Sequence, residues 1–259
     1  MWWEIVTTEQ KLFFGPTALE VIVTEKVDGA NLGISLGKNY EIECFHRGQA
    51  ITHVTSIEYS KLKYFLEEKQ KFLCQILEPQ RHVLCGEWWF VTFYCPQPNF
   101  FFLCMGYGMS SQVKHSIEYD ALPAWLLVFD IYDKYTQTFM SRSKLEEVCR
   151  DKFEMTPIIT RKVFQDKQEL EELLNNTMST YRKKTPHPIE GLYLKIDDDS
   201  KGINLHRCKL VRSEFVQNIT EHWMHKKTVI SFEIEQTIFF CARKKLKQFV
   251  IQNASDYFL

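Results

Sequence analysis

No CxxC pair occurs among the eight cysteines of this chain (Cys44, Cys74, Cys85, Cys95, Cys104, Cys149, Cys208 and Cys241). The paired spacing of a redox or metal motif is therefore missing. No signal-peptide pattern opens the sequence, and the plain expectation is reduced, mostly buried thiols in an intracellular protein, cytoplasmic or nuclear. An excess of either charge is also lacking: Lys+Arg 32 against Asp+Glu 33 leaves a formal net charge of -1. No global basic field advertises nucleic acid, so any polyanion site has to be a local patch. There is no internal repeat, and no Ser/Gly/Pro-rich linker marks a boundary. Charge is absent altogether from Trp88 to Val113 (WWFVTFYCPQPNFFFLCMGYGMSSQV). Pro96-Gln97-Pro98-Asn99 cuts that stretch into two apolar pieces, each too short to span a bilayer. It is not a transmembrane helix, but an uncharged aromatic segment that must be buried, bind something or be an aggregation liability.

What is present fits one large domain, or a main domain with a small appendage: 259 residues, 45% hydrophobic and 14% aromatic. Alternation predicts strands at 20–25 (EVIVTE), on either side of Gly37-Lys38-Asn39, at 81–90 (RHVLCGEWWF) and at 126–133 (LLVFDIYD). Two more, IEGLYLKI and LHRCKLVR, flank a DDDSKG turn. Helical spacing of Leu62, Phe65, Leu66, Phe72, Leu73, Ile76 and Leu77 predicts a helix over 59–77. A second is expected over 166–182, opened by an Asp166/Glu169 cap. From Phe215 onward the chain reads as mostly helical. The sum is a mixed α/β chain, with strands in the middle and helices at the end.

The segment VIVTEKVDGANLGI places Lys26 at the end of a strand and just before an Asp28-Gly29 turn. Alone, the K-x-D-G string is weak, and a solvated strand-end lysine explains it. It gains weight from further segments in the order that nucleotidyl transfer through a lysine needs. The amine must lose its proton, which nearby cations, a metal or other lysines, would promote. The triphosphate needs Mg²⁺ and basic side chains, the ribose a carboxylate, and the base an aromatic face. Arg47 (HRGQ) can reach a ribose or phosphate. Glu87 (CGEWWF) is a carboxylate in an apolar run, so it must be paired or functional. Phe129-Asp130 pairs a ring with an acid, although Phe129 alone reads as core. Glu190 (IEGLYLKI) stands at a strand entrance, suited to a metal. Arg207 and Lys209 alternate along one strand and so share a face.

The ordered set EKVDGAN, HRGQ, GEW, FDIYD, EGLYLK and RCKLVRSEF resembles the covalent lysyl-nucleotidyltransferase superfamily. More closely, it resembles ATP-dependent RNA ligases of the RNA ligase 2 type, over residues 20–223. The resemblance implies an adenylyltransferase fold of antiparallel sheets flanked by helices over 1–215. A short helical C-terminal extension follows at 216–259, with too few residues for an OB-fold. It implies Lys26 as the adenylated lysine, with Asp28 and Asn31 supporting the metal and phosphate shell and Gly29 allowing the turn. Glu25 counts among the ATP-binding residues. Arg47 would contact the ribose, Glu87 its hydroxyls and Phe129 the adenine. Glu190 would bind Mg²⁺ with Lys195 assisting, while Lys209 and Arg207 would meet phosphate. Arg207 stands where the family usually has lysine, which changes the contact geometry but not the charge.

A second departure is residues 89–112, which read as an insertion at the pocket edge, either a lid or a translated splicing remnant. The basic run ARKKLKQ (Ala242 to Gln248) is equally a solvated helix face or an RNA contact. The expected function is ATP- and Mg²⁺-dependent joining of RNA 3′-hydroxyl and 5′-phosphate ends by a monomer, with no membrane association. The alternatives are a catalytically impaired nucleotide- or RNA-binding protein on a ligase scaffold, and a DNA-ligase or capping type of nucleotidyltransferase.

Overall fold

The computed structural model describes residues 2–3, 10–46, 49–51, 59, 61–89, 113–114 and 118–212. Arg47, the insertion beyond Trp89, ARKKLKQ and the expected C-terminal helices lie outside the described residues. The strands are β1 (Trp2–Trp3), β2 (Val21–Lys26), β3 (Ala30–Leu36), β4 (Ile42–His46), β5 (Gln49–Ala50), β6 (His82–Trp88) and β7 (Val113–Lys114). They continue as β8 (Glu118–Tyr119), β9 (Leu126–Asp133), β10 (Thr138–Met140), β11 (Ile158–Lys162), β12 (Gly191–Asp198) and β13 (Ile203–Val211). The helices are α1 (Gln10–Phe13), α2 (Leu62–Ile76), α3 (Arg142–Cys149) and α4 (Lys167–Asn176). None of them is long and apolar enough to cross a membrane among the described residues.

One antiparallel sheet runs β11-β2-β12-β13-β10-β9-β6-β3-β4-β5, with β1 added to β13, and β7 and β8 form a separate pair. Two apolar cores cover its two halves. Val21 and Val23 of β2 with Leu192, Leu194 and Leu210 pack on Phe13, Phe164, Leu170 and Leu174. Leu32, Ile34, Leu84, Val128 and Ile131 pack on the apolar stripe of α2 and on Leu145 and Cys149 of α3. Each strand contributes alternate residues to its core, which fixes register and frees the intervening side chains for the opposite face. A smaller cluster of Val27, Trp89, Tyr119, Leu127 and Tyr181 stands beside the β2–β3 turn.

The strand and α2 expectations hold to within a few residues, and Asp166 caps α4 by accepting from the Glu169 amide at 2.9 Å. The helix expected over 166–182 ends at Asn176. Thr177 turns extended and its hydroxyl donates to Leu173 O, while the residues beyond pair with 187–189 through Ser179 N to His187 O and Ile189 N to Thr177 O. Tertiary pairing thus overrides a helical pattern there. β10, α3 and β11 are not among the sequence expectations. The free cysteines include Cys44, Cys149 and Cys208, all buried, and burial pushes the Cys44 and Cys149 thiols up to about 12.

Candidate active site

Residues paired across an antiparallel ladder point to the same face. The register couples Lys26 to Gly191, Ile22 to Lys195, Tyr193 to Lys209 and Lys195 to Arg207. One face of the β2–β12–β13 half therefore carries Lys26, Tyr193, Lys195, Arg207 and Lys209, and Glu190 stands at its edge. Opposite the α2 core, the other half couples Asn31 to Glu87, Gly33 to Cys85 and Cys85 to Asp130. A register shift beyond Cys85 leaves Phe129 as the extra residue of β9.

These faces meet through charge and rings. Lys195 Nζ donates to Asp130 Oδ1 at 2.6 Å and to Phe129 O at 2.7 Å. Arg207 Nη1 reaches Asp130 Oδ2 at 3.3 Å, and its guanidinium lies over the Phe139 ring. The Phe129 and Tyr193 rings stand 6.0 Å apart at 45°. Lys26 Nζ donates to Glu190 Oε1 at 2.5 Å.

The Asp28-Gly29 turn is fastened on both sides. Its Asp28 amide donates to Tyr119 Oη and its Asp28 carbonyl accepts from Trp89 Nε1, both at 2.9 Å. A Cβ on Gly29 would stand 3.1 Å from Glu87 Cβ and from the Trp89 ring, so glycine lets the turn approach β6. Trp89, the first residue of the expected insertion, is thus part of the wall behind Asp28. His46 Nδ1 lies 2.9 Å from Asn31 O and 2.8 Å from Tyr59 Oη at the end of β4, one residue before Arg47.

Glu25 stands apart from this group. Paired with Leu192, it points to the core side of β2, where Thr180 N and Oγ1 donate to its Oε2 at 3.3 and 3.4 Å. Burial pushes its carboxyl up against hydrogen bonds from Ser179 and Thr180. The structure thus gathers Lys26, Asp28, Gly29, Asn31, Glu87, Phe129, Glu190, Lys195, Arg207 and Lys209 around two facing surfaces. Sequence reasoning did not assign Tyr193, Tyr119 or Asp130. Tyr193 was legible as the residue two before Lys195 in a strand, whereas the Tyr119 contact joins segments 91 positions apart.

The electrostatics differ from expectation at the lysine. Burial pulls the Lys26 pKa down, but Glu190, Glu87 and Asp28 together hold it above its ordinary value. Carboxylates, not cations, set its protonation here. Among the described residues no group of three His, Cys, Asp or Glu side chains could hold a metal by itself. Mg²⁺, however, is ordinarily held by one or two carboxylates plus substrate phosphates. Glu190 fits that use, since its Oε2 is buried with no hydrogen-bond partner.

A family model described as RNA ligase matches residues 19–211, most of the chain. The chain belongs to the RNA ligase family. No curated protein matches the sequence. Among solved structures, this ligase-family chain is similar to a mutant Naegleria gruberi RNA ligase with ATP and Mn at TM-score 0.53 and 13% identity, over 81% of this chain and 53% of that one. A second mutant of that ligase with ATP and Mn gives 0.53 and 13%, over 83% and 55%. The Naegleria gruberi RNA ligase with PPi gives 0.50 and 15%, over 76% and 51%. At such identities the likeness is one of fold. The ligase-family chain spans about half the length of the solved structures it matches.

Proposed function

We propose that the protein joins RNA ends with ATP and Mg²⁺, through an adenylate carried on Lys26, as RNA ligases of the RNA ligase 2 type do. The observation that carries this reading is the single face on which Lys26, in contact with Glu190, shares a sheet with Lys195, Arg207 and Lys209. A nucleophile at one end of a row of cations suits a triphosphate laid along that face.

Lys26 Nζ, as the neutral amine, attacks the α-phosphorus of ATP; the P–N bond forms and the P–O bond to pyrophosphate breaks. Glu190 would hold a divalent cation, which would supply positive charge to the phosphates and offset the carboxylate attraction on Lys26. Lys209 and Arg207 bind phosphate oxygens, and Arg207 exchanges its long contact with Asp130 for the nucleotide. Lys195 stays bound to Asp130 and adds positive charge to the phosphate-binding face. Phe129, braced by Tyr193, presents the ring on which adenine stacks. Glu87 accepts from the ribose hydroxyls, Arg47 contacts the ribose, and Asn31 with the Asp28-Gly29 turn completes the phosphate and metal shell. Glu25 acts from behind the strand, through the placement of Lys26. The adenylyl group then passes to an RNA 5′-phosphate, and a 3′-hydroxyl attacks that phosphate and releases AMP.

The test is the sealing of RNA carrying 5′-phosphate and 3′-hydroxyl ends by the purified full chain. Joining that requires ATP and Mg²⁺ and is lost in Lys26→Ala supports the reading. Joining retained by Lys26→Ala, or none by folded protein on nicked or single-stranded ends, contradicts it.

A further inference from the structure

The near-zero net charge makes any polyanion site a local patch, and the loop between α4 and β12 is one. Residues 180–187, TYRKKTPH, hold three cations, Arg182, Lys183 and Lys184, and no acid. Lys183 and Lys184 are exposed. The loop is built rather than slack. Asp120 accepts from the Lys183 and Lys184 amides at 2.8 and 3.0 Å, and its own amide donates to Tyr181 O at 3.0 Å. Ser179 N to His187 O closes the base of the loop. Asp120 thereby spends its hydrogen bonds on main chain; its charge acts on Lys184 and Arg182, but both lysines remain exposed. The backbone entropy of presenting them is met on folding.

The loop is also tied to the reacting lysine at both ends. Thr180 bonds Glu25, the neighbour of Lys26, and the return strand runs into Glu190, which holds Lys26 Nζ. Tyr181 packs edge-on against Tyr119, whose hydroxyl accepts from the Asp28 amide. Six peptide steps separate Lys184 from Glu190, at most about 22 Å of extended chain. That range covers the first several nucleotides beside a joined end. Arg182, partly exposed beside Lys183, is a third cation on the same loop.

We propose that loop 180–187 is an RNA-phosphate clamp at the mouth of the Lys26 site, with Lys183 and Lys184 binding backbone phosphates and Arg182 a third. The clamp rests on the RNA ligase reading for its ligand, but not for its geometry. Its contacts are to phosphate, so they fix where RNA lies and carry no base preference.

The test uses the full chain and a nicked RNA duplex with a 5′-phosphate, its binding followed by anisotropy against salt. Removing two phosphate contacts lowers the slope of log K against log salt by about 1.4 to 1.8. Lys183→Ala/Lys184→Ala is expected to show that loss and roughly tenfold weaker binding at low salt, while label transfer from ATP to protein is unchanged. Lys183→Arg/Lys184→Arg should keep the wild-type slope. Lys63→Ala/Lys71→Ala on α2 carries the same charge change and should also keep it. An unchanged slope in the loop double variant, or an equal loss in the α2 variant, overturns the clamp. Wild-type protein that takes no label from ATP fails the ligase reading instead, and the salt slopes still decide the clamp.

Discussion

Asp130→Ala is the perturbation whose consequence follows most directly from the packing. Asp130 is 0% exposed and Lys195 2%, and they are joined at 2.6 Å inside the protein. Arg207 can turn to water, because about a third of its side chain is already exposed. Lys195 cannot, so removing the carboxylate strands a buried ammonium with Phe129 O as its hydrogen-bond partner and the Tyr193 ring beside it, but no counter-charge bonded to it. Breaking one side of a buried pair typically costs about 3–5 kcal/mol. Against a total stability of about 5–15 kcal/mol, that is a large share. With a urea m-value of about 1–3 kcal/mol/M, the midpoint should fall by about 1 M or more. Adding Lys195→Met to Asp130→Ala should recover much of the loss, since the stranded charge leaves with its partner. A single-variant midpoint within about 0.3 M of wild type at unchanged m would refute the claim that Asp130 compensates Lys195.

Three further outcomes follow. A Cβ on Gly191 would collide with Leu210 O and come within 3.2 Å of Val211 Cα, both backbone, so Gly191→Ala should cost about 1–3 kcal/mol in urea unfolding. Asp133 is held well below the ordinary carboxylate range by two bonds from Arg81, at 2.9 and 2.7 Å. Its folded pKa being depressed, the stability it gives is present above about pH 4 and lost as pH falls further. Stability measured from pH 5 to 2 should therefore fall less steeply in Arg81→Ala; an unaltered slope would contradict this linkage. Label transfer to Lys26 should rise with pH on the alkaline side, because its carboxylate neighbours raise its pKa. Glu190→Gln should move that rise to lower pH while slowing the reaction.

Lys26 was legible as the candidate nucleophile because its strand, its turn and its order among other charged strand ends are local patterns. Alternation placed Arg207 with Lys209 correctly on one face, and the ladder register then added Tyr193 and Lys195. Alternation along β2 turns Glu25 away from Lys26, although the resemblance of EKVDGAN had counted it among the ATP-binding residues. Glu87 was expected to be either paired or functional, and it lies half-buried beside Asn31, where its charge acts on Lys26. Long-range contacts were not legible. Nothing near Asp28 in sequence announces Tyr119 or Trp89, and nothing in RKK announces Asp120, more than sixty positions away. The helix over 166–182 shows the same limit, since its last turn was lost to pairing with 187–189.

The proposed chemistry puts an adenylyl group on Lys26. Incubation of the purified full chain with ATP and Mg²⁺, then peptide mass analysis, measures it directly. One added adenylyl group is expected on the peptide bearing Lys26, with no equivalent from GTP or NAD and none in Lys26→Ala. Folded protein that stays unmodified, or an adduct that persists in Lys26→Ala, would contradict it.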